Sequence, residues 1–163
     1  MKKIIILLAF FSFSLVSAQA PHVSPTIDPA LEVSYQHLSE RAAEHGKDLQ
    51  SLTEQAGLVS INVVDSLPNG DLGAFQRTGS TFTVEISKIV LADPVSLEWV
   101  LAHEIGEGLG LKHVDKKMPD GSPAWSPEIM ATHGVIDPTH LLYQIKIHPT
   151  YGPPIWKRYF DQL

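Results

Sequence analysis

The sequence predicts a single α+β domain, and three features of the chain indicate that class. Apolar residues recur at helical spacing over 30–56, and short segments rich in β-branched residues follow within 58–91. A further helix is then predicted to begin at Asp93. This order of helices and strands is typical of a small sheet with helices packed against it.

Residues 1–20 have the layout of a secretory signal peptide. Two lysines precede an apolar run, and small residues close the segment. We expect cleavage after Ala18, which assigns 1–18 to the leader, or alternatively after Ala20. The apolar run is shorter than the roughly 20 residues that span a bilayer. The mature protein should therefore be exported, either secreted or periplasmic, and should have no membrane contact.

Composition excludes several classes of function. Loss of the leader with its two lysines takes the formal net charge from −6 to −8, so neither nucleic acid nor an anionic membrane surface is an expected partner. The chain has no cysteine, which excludes disulfides, thiolate metal sites and cysteine nucleophiles. Any metal must be held by His, Asp or Glu. We expect one domain over 30–163 that acts as a monomer.

The first helical region is expected to contain two helices. Residues 19–29 ahead of it are rich in proline and are predicted to form an N-terminal arm. Apolar residues three or four apart then run from Ala30 to Ala56, with a break at Gly46. Gly57 is placed to end the second helix, because glycine readily adopts the left-handed conformation found after helix C-termini.

Three strands and a third helix should follow. The first strand, within 58–67, is predicted to turn one set of apolar side chains to the same face: Val59, Ile61 and Val63. A turn at 68–71 and strands at 72–77 and 81–91 complete the sheet. Asp93 and Pro94 then begin the third helix as its N-cap and first residue.

The C-terminal part is predicted to be less regular. A short helix is expected over 139–146, followed by a segment rich in proline and aromatic residues. The aromatic side chains of this tail are expected to pack on the domain, although a partner-docking segment is the alternative. Those side chains are Tyr151, Trp156 and Phe160.

The segment HEIGEGLGLKH of the third helix, residues 103–113, carries the chemistry. Residues four apart on a helix share a face, so His103 and Glu107 can bind one ion. Glu104 is rotated by about 100°, near the ion but better placed for a water molecule. Gly110 permits a positive φ, and the chain can then turn back and bring His113 to the same ion.

This segment resembles the metzincin metallopeptidases, and the matrixin branch in particular. The residues that match the family motif of helix and methionine turn are His103, Glu104, Gly110, His113 and Met130. The resemblance covers about 58–134 and implies a small metzincin-like catalytic domain. That domain has a twisted, mostly parallel sheet, a backing helix, an active-site helix and a Met-turn. The chain departs from the pattern at Glu107, which stands where the family has its second histidine.

The resemblance implies a secreted zinc-dependent endopeptidase. His103, Glu107 and His113 would hold Zn²⁺ or another divalent ion such as Mn²⁺ or Fe²⁺. Glu104 would act as the general base that takes a proton from water. A carboxylate ligand lowers the charge of the site from +2 to +1, which should raise the pKa of bound water above about 7.

Two other interpretations remain open. The site could bind metal poorly, which would make the protein a catalytically inactive metzincin-like secreted binding module. Alternatively, His133 could replace the missing histidine, because it follows the methionine turn by three residues. Asn69 and Asp71 could bind a structural Ca²⁺, although Pro-Asn-Gly-Asp is more simply a turn.

A protein or peptide is the expected substrate. The resemblance implies that the peptide lies extended along one of the strands 72–77 or 81–87, held by main-chain pairing. It also implies that loop 131–138 walls the pocket for the side chain after the cut.

Overall fold

The structure, a computed structural model, describes residues 24–113, 129–130 and 153–163. Within these ranges no helix is long and apolar enough to cross a membrane. Several predictions concern residues outside these ranges: the leader at 1–18, His133, the loop at 131–138, the helix over 139–146 and the packing of Tyr151.

Four strands form one sheet in the order β1-β2-β4-β3. They are β1 (Thr26–Ile27), β2 (Leu58–Val64), β3 (Gly73–Thr78) and β4 (Thr81–Ser87). β1 and β4 both run parallel to β2, whereas β3 runs antiparallel to β4. The predicted α+β class with a mostly parallel sheet is confirmed. Among the described strands, β3 lies at one edge and β1 at the other.

Helices pack against this sheet and against each other. They are α1 (Glu32–Glu44), α2 (Leu49–Ala56), α3 (Pro94–Gly108) and α4 (Pro153–Phe160). The break between α1 and α2 falls at Gly46, with φ 72°, and Gly57 ends α2 with φ 87°, as predicted. α3 contacts β3, β4 and α1, so it lies between the sheet and the first helix.

Two strand boundaries differ from the prediction. β1 lies inside the segment that was predicted to be only an arm, and its two residues pair with Ser60 and Ile61 of β2. A two-residue strand is too short to show an alternating pattern. β4 ends at Ser87, because Lys88–Ala92 form a 3₁₀ helix that leads into α3. The apolar composition of 88–91 is the reason that the predicted strand extended too far.

The prediction that Val59 shares a face of β2 with Ile61 and Val63 is wrong. Val59 is 49 % exposed, whereas Leu58 and Ile61 are buried. The pairing of β2 with β4 shifts register between Leu58 and Ser60. This irregularity adds a residue to the strand and moves the buried face by one position, which an alternation pattern cannot reveal.

One apolar core joins the sheet to all four helices. Its fully buried members include Leu38 of α1, Ile61 and Val84 of the sheet, and Leu101 of α3. Phe160 of α4 is also fully buried, and Trp156 is partly buried against the same core. The prediction that the tail packs on the domain is therefore confirmed for these two aromatic residues.

Candidate metal centre

Helix α3 supplies the main part of the site, and its start is defined by polar contacts. Asp93 is extended at the N-cap position and Pro94 is the first helical residue, as predicted. The Asp93 carboxylate accepts a hydrogen bond of 2.6 Å from the Ser96 hydroxyl, and both residues are buried. This pairing fixes the first turn of the helix.

The helix ends in a Schellman motif, which determines where the chain goes next. The amide of Leu111 donates to the carbonyl of Gly106, and the amide of Gly110 donates to the carbonyl of Glu107, both at 2.9 Å. Gly110 has φ 90°, a left-handed conformation that glycine adopts without steric cost. The predicted reversal at Gly110 is therefore present, and it places His113 beside the last turn of α3.

His103, Glu107 and His113 come together after this reversal. One potential ligand atom from each residue lies within 4.8 Å of the other two. Nε2 of His113 is 2.5 Å from Oε1 of Glu107, and the rings of His103 and His113 stack with their centroids 5.1 Å apart. Among the described residues this is the group of His, Asp and Glu side chains that could hold a metal ion.

The surroundings of His103 favour a metal ligand. Its Nδ1 lies 2.6 Å from the carbonyl oxygen of Ile129. Because a carbonyl can only accept, Nδ1 carries the proton and Nε2 keeps its lone pair. Burial lowers the pKa of His103, so the imidazole is neutral at neutral pH. The ring also stacks on Trp99, with centroids 5.7 Å apart.

Glu104 is the buried carboxyl group of the site. It is 7 % exposed, and burial, aided by the negative charges of Glu107 and Asp71, raises its pKa to about 8. A carboxyl in this state is mostly protonated at neutral pH, and a nearby cation would favour its ionised form. The position suits a group that exchanges a proton with a molecule bound beside Glu107.

Two segments distant in sequence pack on the middle of α3. Met130 is 1 % exposed, and a Cβ atom added at Gly106 would lie 2.6 Å from its Sδ. The Tyr159 hydroxyl donates a hydrogen bond of 2.6 Å to the carbonyl of Ala102. Met130 thus packs on α3 beside Ile129, the partner of His103.

The three side chains fit a divalent cation by their chemistry. Two neutral imidazoles and one carboxylate form an established zinc set, and the donors of a tetrahedral zinc site lie roughly 3.4 Å apart. The observed spread of up to 4.8 Å is within reach of side-chain rotation.

The segment proposed as a calcium site forms a 3₁₀ turn at Pro68–Gly70, in which Asn69 has φ 60°.

Sequence reasoning missed several neighbours of the site. Trp99 could have been found, because it precedes His103 by four residues and so shares its helix face. The effect of Asp71 on Glu104 and the hydrogen bond of Tyr159 to Ala102 join distant parts of the chain and carry no local signal. Ile129 contributes only a backbone carbonyl, and its side chain gives no indication of that role.

Comparison of the chain with known protein families, with curated proteins and with solved structures gave no match. The resemblance to metzincins therefore rests on the sequence motif of the helix and on Met130.

Proposed function

We propose that this protein is an exported zinc-dependent endopeptidase of metzincin-like, matrixin-like type. The observation that carries the proposal is the grouping of His103, Glu107 and His113 within 4.8 Å beside the buried carboxyl of Glu104. The same residues match the family motif at every position except 107. Export is proposed from the leader in the sequence.

In this proposal His103, Glu107 and His113 hold the metal ion. When bound, the ion would polarise the scissile carbonyl and acidify the attacking water. Glu104 accepts the proton of that water and passes it to the leaving amine. Burial keeps Glu104 away from bulk solvent, and a cation held by the three ligands would favour the ionised form of its carboxyl that a base requires. The Ile129 carbonyl holds the His103 ring in the tautomer that leaves Nε2 available.

The position of strand β3 is an argument in favour of a peptide substrate. It pairs on one side with β4, contacts α3, and lies at an edge of the described sheet. An edge strand offers free main-chain groups with which an extended peptide can pair. Of the two strands considered for this role, β3 fits better, because β4 is paired on both sides.

A second candidate function has its own support. Nε2 of His113 and Oε1 of Glu107 are 2.5 Å apart, so each can satisfy the other without a metal. If the His113–Glu107 pair is more favourable in free energy than metal binding, the protein is an inactive relative that acts as a secreted binding module. The substitution at position 107 is what makes such a pair possible.

Peptidase assays on three variants separate the two functions. Glu104→Ala should reduce cleavage of a protein substrate by about 10²–10⁴-fold or more with bound zinc retained, because it removes only the proton acceptor. Glu107→His should raise both zinc affinity and activity, since three neutral ligands leave a stronger Lewis acid. Glu107→Gln is the matched control, because it keeps the size of the side chain and removes its charge.

The inactive alternative gives a different pattern. The wild-type protein would hold no zinc at neutral pH and cleave no peptide, while Glu107→His would gain both properties. That result would overturn the proposal of a working endopeptidase.

A further inference from the structure

Gly73, the first residue of β3, makes an unusually close approach to Glu104. A Cβ atom built on Gly73 would lie 2.6 Å from both Cγ and Oε1 of Glu104. It would also lie 2.8 Å from Cγ1 of Val100, one turn earlier on α3. Carbon atoms do not approach this closely, so no other amino acid fits there unless one of these side chains moves.

The backbone of Gly73 does not itself require glycine. Its φ is outside the left-handed region, unlike that of Gly70 and Gly79 at the two turns that flank β3. A larger residue would thus be tolerated by the chain and excluded only by its neighbours. The constraint at this position comes from the side chains of α3.

The strand cannot easily move away to make room. Gly73 pairs with Ile86 of the buried strand β4, and the amide of Ser87 donates to the Leu72 carbonyl at 2.9 Å. The backbone of α3 is packed against both strands. The groups with freedom to move are therefore the side chains of Glu104 and Val100.

We propose that Gly73 is a positioning residue for Glu104: the missing side chain at position 73 determines where the Glu104 carboxyl group lies. Its catalytic consequence rests on the proposed function, in which Glu104 is the general base. Gly73 itself has no group that reacts. It acts by leaving a space that the carboxyl fills between β3 and the metal ligands.

A double-mutant cycle on thermal stability tests the contact without any assay of activity. Gly73→Ala should lower the midpoint of thermal unfolding in the wild-type background. The loss should be clearly smaller in a Glu104→Ala background, because the truncated side chain no longer meets the added methyl group and only the contact with Val100 remains. Val100→Ala is the matched variant, which removes the other close contact and should relieve only part of the loss. Additive effects of Gly73→Ala and Glu104→Ala would overturn the inference.

Kinetics then test the positioning. Gly73→Ala should lower kcat by about 10²-fold, the scale expected when a reacting group is displaced by about 1 Å, with KM and bound zinc close to wild type. Adding Val100→Ala should leave kcat low, because Glu104 still meets the methyl group. Adding Glu104→Asp should cost less activity in the Gly73→Ala background than in wild type, because the shorter side chain avoids the contact.

The outcomes distinguish the two proposals. If the wild-type protein cleaves no substrate and holds no zinc, the proposed function fails, and the stability cycle still decides whether Gly73 positions Glu104. If wild type is active and Gly73→Ala retains full kcat, the positioning role is wrong and the proposed function stands.

Discussion

Both halves of helix α3 contribute to the apolar core, but only the second half also carries the ionisable groups of the candidate site. In the first half Leu97, Val100 and Leu101 are buried and apolar, and each such side chain contributes about 1.5–3 kcal/mol when removed from water. In the second half the buried or half-buried groups include the ionisable side chains of His103 and Glu104. Burying an ionisable group costs free energy unless a partner compensates it. The first half of the helix thus mainly stabilises the fold, and the polar groups of the second half are held in place by other segments.

The contacts that hold the second half come from distant parts of the chain. Ile129 accepts a hydrogen bond from His103, and Tyr159 donates one to the Ala102 carbonyl. We therefore expect that truncating a core residue of the first half, such as Leu101, reduces stability and spares the site, whereas substituting the ionisable groups of the second half changes the site directly.

The largest expected effect on stability is in the first half. Leu101→Ala should lower the free energy of unfolding by about 2–5 kcal/mol, because the Leu101 side chain is fully buried. Urea denaturation measures this loss. Zinc affinity, measured at a temperature where the variant is folded, should be unchanged. Val95→Ala on the same helix is the matched control. Val95 is 50 % exposed, so its loss should stay within about 0.5 kcal/mol.

If Leu101→Ala weakens zinc binding in proportion to its loss of stability, the division of α3 into two halves is wrong.

The second prediction concerns how the free energy of unfolding depends on pH in protein from which a chelator has removed any metal. Glu104 has a raised folded-state pKa of about 8, from a usual value of 4.5. Between these values the folded protein keeps a proton that the unfolded chain has released. The free energy of unfolding therefore falls as pH rises through this window, by at most about 1.4 kcal/mol per pH unit for one proton.

Glu104→Gln removes this slope, because the amide does not titrate. The difference in stability between wild type and Glu104→Gln, followed by denaturation from pH 4.5 to pH 8, isolates Glu104 from the histidines that titrate in both proteins. The variant should gain on wild type as pH rises. A constant difference across the window would show that Glu104 is not a costly buried carboxyl.

The smallest effect is at the junction of the two halves. Tyr159→Phe should cost about 1 kcal/mol of stability, the usual net value of one hydrogen bond, because it removes the bond to the Ala102 carbonyl. Thermal unfolding with and without zinc measures it. The loss should be equal in both states if Tyr159 supports only the helix. A larger loss in the zinc-bound protein would show that α4 also supports the metal ligands.

The features that the sequence predicted well are those that depend on neighbouring residues. The start of α3 at Pro94 and its reversal at Gly110 follow from local backbone preferences, and the shared face of His103 and Glu107 follows from helix geometry. The return of His113 could be predicted because only two residues separate it from Gly110.

The features that were missed depend on residues far apart in the chain. The register shift in β2 that exposes Val59 arises from its pairing with β4. The short strand β1 exists because β2 offers it an edge. The approach of Gly73 to Glu104 is set by how β3 packs on α3. No spacing pattern within one segment contains this information.

The proposed function requires that His103, Glu107 and His113 bind a metal ion, and elemental analysis of the purified mature protein at neutral pH measures that binding. Wild type and His103→Ala should be loaded with zinc, passed through the same desalting step and measured together. Wild type should retain stoichiometric zinc, and His103→Ala should lose it. Zinc in wild type no higher than in His103→Ala would show that these residues do not form a zinc site.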